Sequence, residues 1–228
     1  MAVLGAGIQG SLAALELAEA GARVVLVDRA ARAMTEASRW NEGKIHLGYI
    51  FANDPTARTA RLMAAGAAVF APVLRRWMGS GAIEAALSDP FDYAVMEGSL
   101  VGPEALATRY AAMDAEIAGA LAEPGRDYLG ARRIAPVRRL SRAETAGRLA
   151  EDGVAAVFRT AERSVDVAVV ARAVREAVAR HPRIETRWET EVTGVADAPG
   201  GRLAVETAGG PLGPFDRVVN ALWEGRLA

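Results

Sequence analysis

The sequence lacks cysteine: none of its 228 residues is one. Disulfides, thiolate metal sites, iron–sulfur clusters, a cysteinyl link to flavin and a cysteine nucleophile are therefore excluded within this chain. A chain without cysteine fits a reducing compartment, so we expect a cytoplasmic protein.

Long hydrophobic runs and an excess of one charge are also missing. No run of about 18 uninterrupted apolar residues occurs, so we predict no integral membrane segment. The formal net charge is −1 and basic residues are interspersed with acidic ones, which predicts no nucleic-acid partner. Histidine occurs only at His46 and His181. No metal-ligand cluster or Ser/His/Asp set stands out, so no metal site is predicted.

The first 28 residues carry the clearest pattern. A short apolar segment, Ala2–Leu4, precedes Gly5, Gly7 and Gly10, which have the G-x-G-x-x-G spacing, and a helical pattern follows. In a strand–turn–helix unit the first glycine permits the tight turn, and the second lets the backbone approach a pyrophosphate. The third lets the helix pack closely on the strand. Because the helix N-terminus also offers N–H groups to phosphates, this pattern predicts a dinucleotide site.

A second apolar segment, Arg23–Val27, ends at Asp28, 18 residues after the last of these glycines. A carboxylate at that point can accept hydrogen bonds from ribose hydroxyls. The helical spacing of Ile8, Leu12 and Leu15 predicts the buried face of the intervening helix. Since no basic stretch opens the segment, we interpret it as a βαβ unit rather than a targeting signal. These residues alone do not distinguish FAD from NAD.

The stretch that follows is irregular. Residues 30–55 show neither helical nor strand periodicity, and their aromatic content argues against disorder. Such a stretch inside a compact domain is usually functional. A long alanine-rich helix is then predicted from about Ala57 to Met78, with an apolar stripe of Leu62, Val69, Val73 and Trp77.

The next block has the pattern of a separate module. It predicts a strand over Tyr93–Val101 and a helix over Pro103–Gly119, with proline in the first turn. Ser141 and Glu144 have the spacing of a capping box for a further short helix.

The last part predicts one helix and three strands. Asp166 is expected to cap a helix that ends at Arg180 with His181 on the surface, and three runs follow: Ile184–Val195, Arg202–Thr207 and Phe215–Ala221. We expect the last run to rejoin a parallel sheet. Val218 and Val219 predict a buried strand there with little sequence left to cover it, so we expect the chain to be an N-terminal portion of a longer protein.

Three stretches are similar to segments of one known family. They are GAGIQGSLAALELAEAGARVVLVD, then NEGKIHLGY, and finally SVDVAVVARAVREAV with ETEVTGV and DRVVNA. Together they resemble the N-terminal part of flavoproteins of the D-amino-acid oxidase superfamily. The resemblance is closest to the branch of L-2-hydroxyglutarate oxidases and glycerol-3-phosphate dehydrogenases, because NEGKIHLGY is similar to a segment of the hydroxyglutarate oxidases.

The resemblance implies an α/β fold. The expected architecture is a glutathione-reductase-like, Rossmann-type FAD-binding domain with a parallel sheet and a β-meander, plus an inserted partial α+β substrate domain. The implied division is 1–80 for the first part of the FAD domain, 81–150 for the insertion, and 151–228 for the second part.

The resemblance also implies which residues hold the cofactor. The turn over residues 5–10 would hold the FAD pyrophosphate, Asp28 the adenosine ribose, and the loop over residues 38–43 would pass beside the pyrophosphate and the isoalloxazine. His46 is a candidate flavin neighbour; a base, a covalent flavin attachment point and a packing residue are the alternatives, and no catalytic residue is assigned. The full implied set is Gly5, Ala6, Gly7, Ile8, Gln9, Gly10, Asp28, Arg29, Ser38, Asn41, Gly43, Ile45, His46, Val192, Asn220 and Ala221.

The implied function is that of an FAD-dependent oxidoreductase or its N-terminal portion. It would oxidise a C–H bond next to an amine or hydroxyl, in a 2-hydroxy or 2-amino acid, by hydride transfer to flavin N5. The expected partners are a small-molecule substrate and either a partner chain or a missing C-terminal region that completes the site. Two alternatives stay open: a truncated, non-catalytic FAD-binding module, and an NAD-dependent dehydrogenase.

Overall fold

A computed structural model describes residues 1–79, 81–147 and 152–223. The strands in these ranges are β1 (Ala2–Leu4), β2 (Val24–Val27), β3 (Lys44–Ile45), β4 (Asp92–Met96), β5 (Arg138–Arg139), β6 (Val154–Arg159), β7 (Arg163–Ser164), β8 (Ile184–Arg187), β9 (Val192–Ala198), β10 (Arg202–Thr207), β11 (Leu212–Phe215) and β12 (Val218–Asn220). The α-helices are α1 (Ile8–Glu19), α2 (Arg58–Met78), α3 (Pro103–Ala122), α4 (Arg142–Thr145) and α5 (Val167–Arg180).

The described residues form two compact units. The first unit joins residues 1–42 to residues 167–223, and the second consists of the described residues of Gly43–Asp166. The predicted boundaries at 80/81 and 150/151 involve residues 80, 150 and 151, which lie outside the described residues, as does the predicted end at residue 228. No helix within 1–79, 81–147 or 152–223 combines the length and apolar character that crossing a bilayer requires.

The first unit is built on a parallel sheet with the strand order β12-β1-β2-β8. All three residues of β1 are buried, as expected for a central parallel strand covered on both faces. Strands β9, β10 and β11 form an antiparallel meander. The predicted α/β fold with a parallel sheet and a meander is therefore confirmed.

The core of the first unit lies where the meander packs on this sheet. Buried Val205 of the meander clusters with Ala2, Leu4 and Val27 of the sheet. Helix α1 contacts β1, β2 and α5, and its buried face consists mainly of small residues: Gly10, Ser11, Ala14, Leu15 and Ala18. The predicted face was wrong for Ile8 and Leu12, which are only half-buried, because small side chains are what permit close approach to the sheet.

Two of the strand predictions in the last part were wrong in extent. The run Ile184–Val195 is two strands, because Glu189 takes a positive φ of 52° and the chain turns there. Its first half, β8, pairs with β2, and its second half opens the meander. The run Phe215–Ala221 likewise divides between β11 and β12.

The C-terminal strand rejoins the parallel sheet as predicted, since β12 pairs in parallel with β1. Val218 and Val219 were predicted to be buried but are only half-buried, because β12 is the edge strand. His181 is also not a plain surface residue: its side chain is 12% exposed and its Nε2 lies 3.5 Å from Glu19.

The second unit contains a three-stranded antiparallel sheet, β4-β6-β5, and the helix pair α2 and α3. The predicted stripe on α2 was wrong for Leu62 and Val69. Leu62 is 66% exposed and Val69 39% exposed, while the buried residues of α2 are Ala60, Ala64, Ala67, Ala68, Ala71 and Leu74. The buried face of α3 carries large residues, including Tyr110 and Ile117, so an alanine face on its neighbour leaves room for them.

Three further predictions concern the second unit. The strand predicted over Tyr93–Val101 ends at Met96, because the chain turns at Gly98, whose φ is +84°. The helix from Pro103 continues to Ala122, three residues past the predicted end. The capping box is confirmed: the Glu144 carboxylate accepts hydrogen bonds from the Ser141 N–H and hydroxyl at 2.9 and 3.0 Å.

Candidate functional site

The glycine turn is a close contact of three backbone segments. A Cβ placed on Gly10 would lie 1.8 Å from the Gly5 carbonyl oxygen, so only glycine lets α1 start this close to β1. Gly5 has a φ of +91°, and a Cβ there would lie 2.7 Å from the carbonyl oxygen of Ala221. The first and third glycines of the motif are therefore needed for packing. Ala221, which follows β12, is the third backbone segment of this contact.

Gly7 differs from the other two glycines, because a Cβ there would meet only the Ser38 hydroxyl, at 3.1 Å. The same hydroxyl accepts a hydrogen bond from the Ile8 N–H at 2.9 Å, which satisfies one of the donors that a helix N-terminus leaves unpaired. Among the residues that the structure describes, the N–H groups of Gly7, Gln9 and Gly10 have no hydrogen-bond partner. Three backbone donors therefore remain at the start of α1.

Asp28 closes the turn from the second strand. Its Oδ2 accepts a hydrogen bond from the Ala6 N–H at 2.5 Å, and its Oδ1 accepts one from the Ala30 N–H at 2.8 Å. Each carboxylate oxygen has a second lone pair, and the residue is half-buried. Asp28 therefore both braces the glycine turn and keeps acceptor capacity for a ligand.

The irregular segment after β2 is tied to this turn by backbone contacts. The Met34 N–H donates to the Ala6 carbonyl at 2.9 Å. Arg175 of α5 donates to the carbonyls of Ala33 and Met34 at 2.8 and 2.7 Å. Desolvation, with the charge of two other arginines, lowers the pKa of Arg175. This anchoring brings Ser38 to the start of α1.

The carboxyl ends of three neighbouring strands meet at the turn. Gly5 follows β1, Asp28 follows β2, and Ala221 follows β12, where its N–H donates to Leu4 at 2.8 Å. Ligands of open α/β sheets gather at such an edge. Asn220 accepts a hydrogen bond from the Leu222 N–H, so its side chain serves the local turn.

The remaining predicted residues of the first unit are less close to the turn or more exposed. Val192 opens β9 and packs against the buried cluster of the sheet. Arg29 is exposed. The Asn41 amide is exposed and donates to the Ala37 carbonyl at 2.9 Å. The structure thus brings together residues 5–10, Asp28, Ser38 and Ala221.

Gly43, Ile45 and His46 belong to the second unit. Gly43 takes a φ of +65° and accepts a hydrogen bond from the Val165 N–H. Ile45 lies in β3, and its carbonyl accepts a hydrogen bond from the Tyr128 hydroxyl at 2.8 Å. His46 Nδ1 lies 3.3 Å from Glu162 Oε2.

Glu162 is the centre of a buried polar cluster that the sequence did not reveal. Its side chain is 0% exposed. Oε1 accepts hydrogen bonds from the N–H groups of Leu47 and Gly48 at 2.6 and 3.1 Å, and Oε2 accepts one from the Tyr93 hydroxyl. Burial, followed by the charge of Glu162, raises the pKa of Tyr93, so the hydroxyl stays protonated and donates.

A cavity of about 450 Å³ lies beside this cluster in the second unit. His46 and Tyr93 line it together with Lys44, Phe91 and Asp92. The Asp92 carboxylate makes two hydrogen bonds, both 2.8 Å, with Arg159. The volume falls in the range of small-molecule sites, about 300–1,000 Å³.

The family of the chain follows from a match that covers nearly all of it. Residues 1–225 match the family of FAD dependent oxidoreductases, DAO. The chain belongs to this family. The broad resemblance to D-amino-acid oxidase flavoproteins is therefore confirmed, and FAD is the cofactor that defines the family. No curated protein matches the chain significantly.

Solved structures of similar fold include three enzymes. Glycine oxidase from Geobacillus kaustophilus has a TM-score of 0.66 at 21% identity, over 96% of this chain and 54% of its own. L-amino acid deaminase from Proteus vulgaris has a TM-score of 0.62 at 20% identity, over 96% and 51%. L-alpha-glycerophosphate oxidase from Mycoplasma pneumoniae, solved with FAD bound, has a TM-score of 0.59 at 19% identity, over 95% and 52%. The chain thus spans about half the length of these proteins, and the likeness concerns the fold.

Proposed function

We propose that this chain binds FAD at the glycine turn of the first unit. The pyrophosphate would be held by the N–H groups of Gly7, Gln9 and Gly10, and the adenosine ribose by Asp28. The observation that carries the proposal is the close junction of Gly5, Gly10 and Ala221, which places the start of α1 at the carboxyl edge of the sheet. The match to an FAD-dependent family supports the choice of FAD over NAD.

The residues present fit a dinucleotide. Three unpaired backbone donors at the start of a twelve-residue helix suit a pyrophosphate, because they add to the positive end of the helix dipole. Because Gly7 has no Cβ, the Ser38 hydroxyl can approach this point of the chain and bind the Ile8 N–H. Arg29, Ser38, Asn41, Val192 and Asn220 complete the proposed contacts in the first unit. Gly43, Ile45 and His46 stay predictions of the family resemblance.

We propose oxidation of a C–H bond next to an amine or hydroxyl as the reaction, with a 2-hydroxy or 2-amino acid as substrate. When bound, FAD supplies the hydride acceptor. The chain's own residues bind the substrate, orient its C–H bond and exclude water. The cavity beside His46 and Tyr93 is the proposed place for the substrate, because it is the right size and its lining combines polar side chains with apolar ones such as Ile50 and Phe91.

We further propose that, within its family, the chain falls in the branch of L-2-hydroxyglutarate oxidases and glycerol-3-phosphate dehydrogenases. Its support is the segment NEGKIHLGY, whose histidine lines the cavity and whose Leu47 and Gly48 N–H groups bind a buried carboxylate. The names of the solved relatives refer both to amino acids and to a glycerophosphate, so the substrate test must include both classes.

The test is flavin binding followed by anaerobic reduction. The purified protein should show a flavin spectrum, and a 2-hydroxy or 2-amino acid should bleach it without oxygen. Asp28→Ala should weaken FAD binding at least tenfold, whereas Asp197→Ala, at an exposed acid of the same unit, should leave it unchanged. A protein that cannot be loaded with FAD, or that binds NADH and excludes FAD, would overturn the proposal.

A second outcome separates binding from catalysis. FAD that binds with Asp28-dependent affinity but is reduced by no 2-hydroxy acid, 2-amino acid or glycerophosphate would favour a non-catalytic FAD-binding module. In that case a partner chain or a further segment would complete the site. The proposed setting is cytoplasmic, on the basis of the cysteine-free composition.

A further inference from the structure

Glu162 divides its two oxygens between different kinds of donor. Oε1 faces the N–H groups of Leu47 and Gly48, which can only donate. Oε2 faces the Tyr93 hydroxyl and His46 Nδ1. An ionised carboxylate accepts hydrogen bonds and donates none. It can accept from the two N–H groups and the Tyr93 hydroxyl, and it can bond to His46 only if Nδ1 is the donor.

We propose that Glu162 is a positioning residue that fixes the His46 ring with its proton on Nδ1. The side chain of Glu162 is fully buried and cannot exchange its partners for water. The N–H groups of the two residues that follow His46 bind the same carboxylate, so ring and backbone are oriented by one group. With its proton on Nδ1, the imidazole keeps Nε2 as a hydrogen-bond acceptor.

The other ring nitrogen, Nε2, is on a residue that lines the cavity. The His46 side chain is 23% exposed and lines the cavity. Within residues 1–79, 81–147 and 152–223, Glu162 is its one hydrogen-bond partner. Because no described buried side-chain nitrogen lacks a partner, Nε2 is on the exposed part of the ring. By holding the proton on Nδ1, Glu162 leaves His46 Nε2 as an acceptor for a hydroxyl or ammonium group of a ligand in the cavity. If the proposed function holds, that group is the reacting group of the substrate.

A glutamine at position 162 should reverse this arrangement. Its amide oxygen must take the place of Oε1, since Leu47 and Gly48 offer only donors there. The amide NH₂ then takes the place of Oε2 and faces His46 Nδ1 as a donor. The imidazole proton should move to Nε2, and the cavity would gain a donor in place of its acceptor.

The experiment is nitrogen-15 NMR of the imidazole rings in the FAD-free chain at pH 8.5. The chain has two histidines, so His181→Gln leaves a single imidazole to observe. We expect the Nδ1-protonated tautomer in this background and the Nε2-protonated tautomer after adding Glu162→Gln. Tyr93→Phe is the matched control: it removes one donor to Glu162 but keeps the carboxylate, and the tautomer should not change.

Each outcome bears on the proposal. An Nε2-protonated or doubly protonated His46 in the His181→Gln chain would overturn it, and that spectrum decides the matter even if Glu162→Gln fails to fold. A tautomer that stays unchanged in a folded Glu162→Gln variant would also overturn it. Since the measurement uses no FAD and no substrate, failure of the proposed function would appear separately, in the flavin-binding assay.

Discussion

Replacing Gly10 with alanine is expected to destabilise the first unit strongly. The added Cβ would lie 1.8 Å from the Gly5 carbonyl oxygen, whereas Cβ atoms in proteins essentially never come closer than 3.0 Å to such an atom. Gly5 has little room to retreat, because its N–H donates to the Val27 carbonyl and a Cβ on Gly5 would lie only 2.7 Å from the Ala221 carbonyl oxygen. The helix itself must therefore move away from the sheet.

The magnitude follows from two opposing effects. Overpacking a close-packed contact costs about 1–3 kcal/mol, and a clash with backbone belongs at the upper end of that range. Alanine is favoured over glycine inside a helix by about 1 kcal/mol. The net loss in the free energy of unfolding should be about 2 kcal/mol, which reduces the ratio of folded to unfolded protein roughly 30-fold.

The assay is urea unfolding followed by circular dichroism, with Gly66→Ala as the matched control. Gly66 also lies inside a helix, but a Cβ there would meet no atom within 4 Å, so this variant should gain about 0.4–1 kcal/mol. Gly10→Ala should also weaken FAD binding. If Gly10→Ala proves as stable as the native chain, or shifts in the same direction as Gly66→Ala, the proposed close contact is refuted.

Three other predictions concern a cap, an ion pair and the tyrosines. Ser38→Ala should cost about 1 kcal/mol in urea unfolding, because it removes the acceptor for the Ile8 N–H; an unchanged midpoint would contradict this contact. Arg75→Ala should cost about 1–2 kcal/mol, since it removes two hydrogen bonds to Asp127 of 2.7 and 2.9 Å and one to Glu84 of 3.0 Å, all partly screened by solvent; rescue by Arg75→Lys would argue against the paired hydrogen bonds to Asp127. Burial raises the pKa of all four tyrosines, so the folded chain resists their ionisation while the unfolded chain ionises near pH 10. Stability should be complete below pH 10 and decline as pH rises above it, by about 1.4 kcal/mol per pH unit for each fully excluded ring. Tyrosinate absorbance should therefore appear together with unfolding, and a gradual change near pH 10 in a folded chain would contradict the burial of Tyr49, Tyr93, Tyr110 and Tyr128.

Local patterns predicted the elements whose geometry is local. The βαβ unit followed from Gly5 to Asp28 because turn, helix and strand signals lie within one short segment. The capping box of Ser141 and Glu144 was predictable for the same reason. The alanine face of α2 was not, because hydrophobic periodicity ranks Leu62 and Val69 as buried and does not show that small residues are needed where a helix approaches its neighbour.

Contacts between distant segments left no signal in the sequence. Glu162 binds residues 46–48 and Tyr93, and no fixed spacing joins these positions. Ser38 was found only through the family resemblance, since its neighbour Ile8 lies 30 residues earlier. No helix or strand was predicted around Glu162, so its burial and that of its neighbour Thr160 are known only from the structure.

The discontinuity of the first unit has a consequence for synthesis. Strands β1 and β2 leave the ribosome first, but their sheet neighbours β12 and β8 come after the whole of Gly43–Asp166. At roughly 5–20 residues per second, the glycine turn waits on the order of ten seconds or more for Ala221. The second unit is continuous in sequence, so all its strands and helices have been synthesised before β8 and β12. The proposed nucleotide site is thus completed late in translation, and a nascent chain that stalls before β12 exposes the edge of β1.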